Sequence, residues 1–230
     1  MKHDSNQWIS ISDMMAGLML VFLFVSISFM IDIELEKENM KNIAIAYKKD
    51  KIELNRALKN EFDKDLDRWN AEILDNNTIR FRSQELLFET GKSKIQREFQ
   101  ETLNDFFPRY ISILTDPKFF SDIEEIRIEG HTSSKWTKAK TKNERYINNA
   151  QLSQERAFEV LKYCINLDST QTQLDWLIKV FRANGLSFAK PIIENGEEQH
   201  ELSRRVEFRV ITKTEDKIYQ IIEATSKQNN

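Results

Sequence analysis

A single carboxylate, Asp13, stands directly before an uncharged apolar run from Met14 to Ile31. An acid in that place has two possible roles, which the residues alone leave open. Ser12 or Asp13 could cap the start of a helix, where a negative charge complements the helix dipole. Alternatively, Asp13 could lie among the helices of a membrane bundle, where a costly intramembrane acid marks an ion path. Gly17, one helical turn later, would allow a partner helix to approach that carboxylate closely.

The rest of the sequence offers few groups for other chemistry. Cys164 is the only cysteine, so an internal disulfide is excluded, and no Cys/His spacing indicates zinc. His131 has no cysteine or histidine near it in sequence, which argues against a metal site. We find no nucleophile–base set or phosphate loop, and we therefore expect neither an enzyme nor a bound cofactor. A net charge of -3 without a basic patch makes nucleic acid an unexpected partner.

The apolar run has the length of a membrane span. About 18 residues at ~1.5 Å per residue cover ~27 Å, close to the ~30 Å hydrocarbon core of a bilayer. A signal peptide would have a shorter apolar region and a small-residue cleavage site, which Ser28-Phe29-Met30 does not provide. We therefore expect an uncleaved, single-pass anchor. Lys2 precedes the run and Lys37 follows it, so the basic residues alone do not assign the orientation.

The segment from Asp32 to Asp75 is rich in charge and contains neither glycine nor proline. Its apolar residues recur mostly every three or four positions, which predicts one stripe along a long helix. The stripe consists of Met40, Ile43, Tyr47, Leu54, Leu58, Phe62, Leu66, Trp69 and Ile73. Two interpretations stay open: a solvated helix that folds back on its own domain, or a stalk that pairs with a second copy.

Beyond Asn76-Asn77-Thr78, which should end the helix, the pattern is typical of an α+β domain. Strands are predicted at residues 79–88, 125–130 and 205–211, and the last of them should close the sheet. Helices are predicted at residues 96–114, 152–165 and 174–181.

Four segments carry a family resemblance through their order: LLFETGKSKI from Leu86, IRIEGHTSS from Ile126, NAQLSQERAFEVLKY from Asn149 and SRRVEFRV from Ser203. Together they resemble the OmpA-like peptidoglycan-binding domain, over roughly residues 78–212. The resemblance implies a β/α sandwich with helices on one face of a small mixed sheet. It also implies a ligand, the peptidoglycan stem peptide, held through its diaminopimelate.

The same resemblance indicates which residues bind. Diaminopimelate is a zwitterion, so its ammonium needs an acid and its carboxylate needs a guanidinium, whose planar fork bonds bidentately. Arg156 matches the family's binding arginine. Asn149 and Leu152 match the positions that frame the pocket mouth, and His131 and Thr132 match the loop after a strand.

The sequence departs from the family at several of these positions. Ser133 stands where the family usually has aspartate, and a serine offers no charge to an ammonium. The following loop, residues 135–146, is longer than usual and rich in lysine. Ser203 replaces the usual asparagine before Arg204 and Arg205. These two arginines either contribute to binding or only bridge the sheet and the helices, and we expect Arg204 to bind. We therefore expect wall binding that is weaker or differently made.

The order of a short tail, an acid at the start of a lone membrane helix and a wall-binding domain resembles MotB, the B subunit of the flagellar stator. In WISISDMMAGLMLVFLF, Trp8 and Asp13 match its tryptophan and ion-carrying aspartate. The spacing is one residue shorter, and Ser12 replaces the usual alanine. The short chain, the lack of a basic tail and the long charged helix are similar to the ZorB group, the MotB-like subunits of Zorya anti-phage systems.

Resemblance to that group implies a partner assembly. A homodimeric rod of two such chains would stand inside a five-copy ring of a multi-span MotA-like, or ZorA-like, membrane subunit. Protons or sodium ions would cross the membrane at Asp13, and the ring would turn around a rod that is held to peptidoglycan. The resemblance also implies a role in anti-phage defence. The alternatives are a flagellar stator subunit and a passive envelope tether that carries no ions.

We expect five parts in the chain. They are a cytoplasmic tail (1–12), a transmembrane helix (13–31), a charged helical stalk (32–76), the OmpA-like domain (77–213) and a C-terminal tail (214–230). The chain is expected in the bacterial inner membrane as a single-pass protein, with its N-terminus in the cytoplasm and its C-terminal domain in the periplasm.

Overall fold

The computed structural model describes residues 4–82, 84–89 and 91–213, and their side chains except at residues 4–10, 42–50, 84 and 85. The chain forms two compact units, which divide between residues 49 and 50. The second unit therefore begins well before residue 77, where the sequence analysis placed the start of the domain. The C-terminal tail, residues 214–230, lies outside the described residues.

The first unit contains the N-terminal part of a long helix, α1 (Asp4–Phe62). Its segment Ile11–Lys41 is long and apolar enough to cross a membrane, with a mean hydropathy of 2.5, and none of its apolar window is buried. This confirms the predicted long apolar helix. Within it, the Ser26 hydroxyl donates to the Phe22 carbonyl oxygen at 2.7 Å, a local bond that occupies this hydroxyl on its own backbone.

The last turns of α1 belong to the second unit. Leu54, Leu58 and Phe62 recur every four residues and are buried in its hydrophobic core. For these turns, the interpretation that the charged helix folds back on its own domain is confirmed. The predicted stripe was wrong beyond Phe62, because α1 ends there and Ile73 lies in a strand.

Packing in the turn after α1 explains why the stripe misled. Residues 63–70 form turns that end at Asn70, whose φ of 49° lies in the left-handed region. The Trp69 ring nevertheless packs against Phe62 at 5.7 Å and Phe81 at 6.5 Å between centroids. The turn places its apolar residues in the same core as the helix does. The spacing of apolar residues in the sequence therefore stays helical although the helix has ended.

A five-stranded sheet lies at the centre of the second unit. Its order is β1 (Ala71–Leu74), β2 (Thr78–Phe81), β7 (Arg205–Thr212), β3 (Ile123–His131) and β4 (Phe181–Gly185). Neighbouring strands are antiparallel except for β3 and β4, which are parallel. The expectation that residues 205–211 close the sheet was wrong in position, because β7 lies between β2 and β3. A short hairpin, β5 (Ile193–Glu194) and β6 (Glu197–Glu198), stands apart from this sheet.

Three helices of the second unit, at residues 97–114, 142–165 and 174–180, follow the predictions with shifted ends. The strand predicted at residues 79–88 was wrong beyond Phe81, because β2 ends there and a short helix forms at residues 84–87. The helices that follow α1 are α2 (Gln84–Leu87), α3 (Arg97–Leu114), α4 (Pro117–Phe120), α5 (Lys142–Ile165), a 3-10 helix (Asp168–Gln173), α6 (Leu174–Val180) and α7 (His200–Ser203). Helix α5 begins ten residues earlier than predicted, because the Thr141 hydroxyl caps it by accepting from the Glu144 amide at 3.1 Å. Phe181 was assigned to a helix but begins β4, a strand too short to show alternation.

One aromatic cluster joins the sheet to α3. The Phe106 ring lies 5.1 Å from both Phe81 and Phe208, between ring centroids, in edge-on geometry. The buried residues of α3 recur every three or four positions, as expected for a helix with one face on a core. They are Phe99, Leu103, Phe106, Phe107, Tyr110, Ile111 and Leu114.

Helix α5 lies directly on the sheet at two glycines. A Cβ at Gly130 would stand 2.3 Å from the carbonyl oxygen of Ser153, and a Cβ at Gly185 would stand 2.3 Å from the amide nitrogen of Gln154. Backbone therefore meets backbone here, and only glycine fits. The contact fixes the height of α5 above the end of β3, and so the position of Arg156 one turn along the helix.

We predict that Gly130→Ala destabilises the second unit by about 1–3 kcal/mol, because α5 must move away from the sheet. Urea unfolding of the detergent-solubilised chain, followed by tryptophan fluorescence, measures this loss. Gly17→Ala is the control, since the same methyl group meets nothing within 4 Å. An unchanged unfolding midpoint for Gly130→Ala would contradict the backbone contact.

Candidate functional site

A cavity of about 470 Å³ opens where β3 ends and α5 crosses it. The described residues that line it are Gly91, Thr132, Ser133, Lys135, Trp136, Thr137, Lys138, Asn149, Leu152, Arg156 and Arg204. All six positions that the sequence analysis assigned to peptidoglycan binding are in this set. The structure brings them together from the loop after β3, from α5 and from the residue that precedes β7, and their role in binding stays a prediction.

Arg156 is the most enclosed charge in the cavity, with 3% of the residue exposed. Its Nε donates to the Lys92 carbonyl oxygen at 3.0 Å, and its guanidinium carbon lies 5.0 Å from the centre of the Phe88 ring. Its Nη2 has no hydrogen-bond partner among the described residues. Burial and the neighbouring charge of Arg204 lower the pKa of Arg156 to about 10, so the group stays charged at neutral pH.

The loop after β3 supplies the opposite wall of the cavity. The Thr132 amide donates to the Ser187 carbonyl oxygen at 2.9 Å, which ties this loop to the segment after β4. Arg204 Nη1 lies 3.5 Å from the Ser133 hydroxyl, and its Nη2 contacts the Glu201 carboxylate. Arg204 therefore lines the cavity between a serine and an exposed acid.

Two residues of α5 complete the predicted set. Asn149 is buried and donates from Nδ2 to the Arg145 carbonyl oxygen at 3.0 Å, so its side chain is held by its own helix. Leu152 is half-buried at the rim. These two shape the mouth rather than add charge.

Part of the lining was not predicted from the sequence. Lys135, Trp136, Thr137 and Lys138 come from the lysine-rich loop, which had been noted for its length but given no role. Gly91, with φ of 71°, belongs to the loop whose Lys92 carbonyl holds Arg156. The GKSK sequence within LLFETGKSKI was the available signal for that loop.

Arg205 takes a different place from its neighbour. Its guanidinium is buried on the other face of the sheet, where Nε donates to Glu207 at 2.6 Å and Nη1 to the Ser203 carbonyl oxygen at 3.0 Å. Arg80 reaches the same Glu207 oxygen at 2.7 Å. For Arg205, the interpretation of an arginine that only holds the fold together fits these contacts.

His131 ends β3 and is buried beside two acids. Its Nε2 lies 3.6 Å from one carboxylate oxygen each of Glu129 and Glu207. The ligand atoms of these three residues lie within 4.8 Å of one another, a spacing that could hold a metal ion. This cluster was not predicted from the sequence, because two of its three ligand residues are glutamates and no second cysteine or histidine lies near His131 in sequence. Because Arg80 and Arg205 already neutralise Glu207, we interpret the cluster as part of a buried ion network.

Asp13 lies in the first unit, in the interior of α1. The helix begins at Asp4, so Asp13 is more than two turns beyond its first residue. A cap acts only at the first turn, and the interpretation of Asp13 as a helix cap is therefore wrong. The carboxylate stands near the start of the apolar segment Ile11–Lys41. The side chain of Trp8 lies outside the described residues.

Comparison with known proteins decides the family. A model of the OmpA family matches residues 87–204. The Zorya protein ZorB of Escherichia coli is 42% identical over 223 residues, which are 96% of this chain and 94% of that protein. The chain belongs to the ZorB family. The ZorB-family assignment confirms the predicted fold class, a long apolar helix followed by an OmpA-like domain.

Solved structures give more distant likenesses to this ZorB-family chain. The cell wall anchor of the type VI secretion system from Pseudomonas aeruginosa is 23% identical, with a TM-score of 0.47, over 67% of this chain and 96% of that one. A putative MotB-like protein from Desulfovibrio vulgaris is 20% identical, with a TM-score of 0.47, over 77% of this chain and 99% of that one.

The buried ion network generates a prediction about pH. Burial alone would raise the pKa of Glu207, but the contacts with His131 and Arg205 outweigh it and lower the pKa well below 4.5. A lowered folded-state pKa gives stability that is present above the unfolded value, near 4.5, and is lost as the pH falls below it. Glu207→Gln should cost about 3–5 kcal/mol at pH 7, because it leaves buried guanidinium charge unpaired.

The measurement is the free energy of unfolding in urea between pH 7 and pH 3. The difference between the unsubstituted chain and Glu207→Gln should shrink as the pH falls below about 4.5. Glu101→Gln removes an exposed carboxylate paired with Arg97 and serves as the control, with a cost of at most about 1 kcal/mol. A Glu207→Gln effect that is independent of pH would contradict the assigned charge state.

Proposed function

We propose that this chain is the ion-carrying, wall-anchored B subunit of a rotary motor in the bacterial inner membrane, acting in anti-phage defence. The observation that carries the proposal is the position of Asp13 inside an apolar helix, in the same chain as an OmpA domain with a cation-lined cavity. The ZorB family membership supports the anti-phage role.

The proposed assembly follows the stator pattern. Two copies of the chain form a rod inside a five-copy ring of a ZorA-like, multi-span subunit, with the N-terminus in the cytoplasm and the OmpA domain in the periplasm. Protons or sodium ions neutralise Asp13 in turn as they cross between ring and rod. One charge that crosses 100 mV releases ~2.3 kcal/mol. This energy can turn the ring relative to the rod only if one of the two is held in place.

The cavity is the proposed holding point. Arg156 and Arg204 present guanidinium groups that suit the carboxylates of a peptidoglycan stem peptide. Among the described lining residues we find no pair of a nucleophile and a base. We therefore assign the site a role in binding and no reaction. A stator of the flagellum would work in the same way, and restored swimming in a stator-null cell that receives this chain with its ring subunit would favour that alternative.

Asp13→Asn tests the motor. The amide keeps the size of the side chain but cannot take up and release an ion, so phage protection should fall to the level of cells without the system. Efficiency of plating measures protection, and membrane fractionation checks that the chain still inserts. Asp32→Asn, which changes an acid beyond the apolar run, is the control and should keep protection. Full protection with Asp13→Asn would instead favour a passive tether.

Arg156→Ala tests the wall contact. The substitution removes the buried guanidinium from the cavity, and we expect affinity for purified peptidoglycan to fall about tenfold or more. Co-sedimentation of the detergent-solubilised chain with purified sacculi measures this. Arg97→Ala, an exposed arginine on α3, removes the same charge elsewhere and should sediment normally. Equal sedimentation of the two variants would exclude this cavity as the wall-binding site.

A further inference from the structure

The cavity contains polar atoms that nothing in the described protein satisfies. Arg156 Nη2, Arg204 Nε and the Thr132 hydroxyl are buried atoms of residues that line the cavity, and no described group is their hydrogen-bond partner. A buried polar group without a partner is costly, so these atoms indicate a ligand. The two nitrogens can only donate, and the ligand must therefore bring acceptor oxygens.

The charge of the lining has one sign. Lys135, Lys138, Arg156 and Arg204 are cationic, and none of the described lining residues is acidic. Arg204 contributes to the lowered pKa of Arg156, which shows that the two guanidinium groups oppose each other's charge. An anion placed between them would relieve that repulsion and regain hydrogen bonds at once.

The acids near the cavity are already engaged. Glu201 contacts Arg204, and its side chain is 70% exposed. Glu198 accepts from the amide of Ser134 at 2.9 Å and contacts its hydroxyl. Glu89 is paired with Lys92 and Lys94, in the loop that holds Arg156.

Ser133, and not an acid, lines the cavity beside Arg204. It is 2% exposed, and its hydroxyl lies 3.5 Å from Arg204 Nη1. A hydroxyl provides a hydrogen bond but no charge. An ammonium that leaves water to contact Ser133 therefore gains little binding free energy.

We propose that this cavity recognises the stem peptide through its carboxylates and does not read the side-chain ammonium of diaminopimelate. The inference rests on the proposed wall-binding function and specifies its ligand. Cross-linking of the wall turns that ammonium into a neutral amide and leaves the carboxylate unchanged. The domain therefore holds cross-linked and free stem peptides alike, which suits an anchor that must bear load in the mature mesh.

Three synthetic tripeptides test the proposal: alanyl-glutamyl-diaminopimelate, the same peptide acetylated on the side-chain amine, and the same peptide with the side-chain carboxylate converted to an amide. Binding to the full, detergent-solubilised chain is measured by titration calorimetry. We expect the acetylated peptide to bind within about threefold of the free one, and the amidated peptide about tenfold or more weaker. An acetylated peptide that binds tenfold weaker or worse would overturn the proposal.

Two matched variants sharpen the result. Ser133→Asp introduces a carboxylate beside Arg204, and we expect it to create a preference of about tenfold for the free over the acetylated peptide. Ser133→Asn, similar in size and neutral, should show no such preference. If the chain prefers the free peptide and Glu201→Gln removes that preference, Glu201 is the ammonium acceptor and the proposal is wrong.

Failure of the proposed function looks different. If no tripeptide binds and Arg156→Ala sediments with sacculi as the unsubstituted chain does, then the cavity is not a wall-binding site and both ideas fall. If the free peptide binds and the acetylated one does not, only the inference about the ammonium is overturned. Circular dichroism of each variant checks that the second unit is folded.

Discussion

The contact between the backbone of α5 and the sheet is the constraint on which the rest of the second unit depends. Gly130 and Gly185 leave no room for a side chain, so α5 is set at one height above β3 and β4. Ser153 in the contact also bonds the Ser187 amide at 2.9 Å, which fixes the segment after β4. With α5 placed in this way, Arg156 lines one cavity with Thr132 and Ser133, which follow β3.

The two faces of the sheet differ in whether their buried charges are paired with opposite charges. On one face, Glu207 is bonded by Arg80 and Arg205, so the charges neutralise each other and stabilise the fold. On the other face, Arg156 has a carbonyl oxygen and an aromatic ring as partners, and none of its partners in the described part of the chain is an acid. A charge that the fold itself does not compensate is suited to an outside anion, since the protein alone gains little from burying it.

The proposed motor requires that an acid in a membrane helix and a wall-binding cavity belong to one chain. One charge that crosses 100 mV supplies ~2.3 kcal/mol, and it produces a torque only against a fixed support. If the cavity holds stem peptides whether or not they are cross-linked, that support is available throughout the wall. Anchoring and ion transfer would then be linked by the covalent chain itself.

Local patterns in the sequence were sufficient for part of this protein. The uncharged run after Asp13, the spacing of apolar residues in α3 and the motifs around Arg156 and Arg204 depend on neighbours along the chain, so they could be interpreted without coordinates. Tertiary structure alone decided that α1 ends at Phe62, because the turn after it keeps a helical spacing against the same core. It also placed β7 between β2 and β3, set the lysine loop beside Arg156, and brought His131 between two acids of different strands. These features arise from contacts between residues far apart in sequence, which no local period encodes.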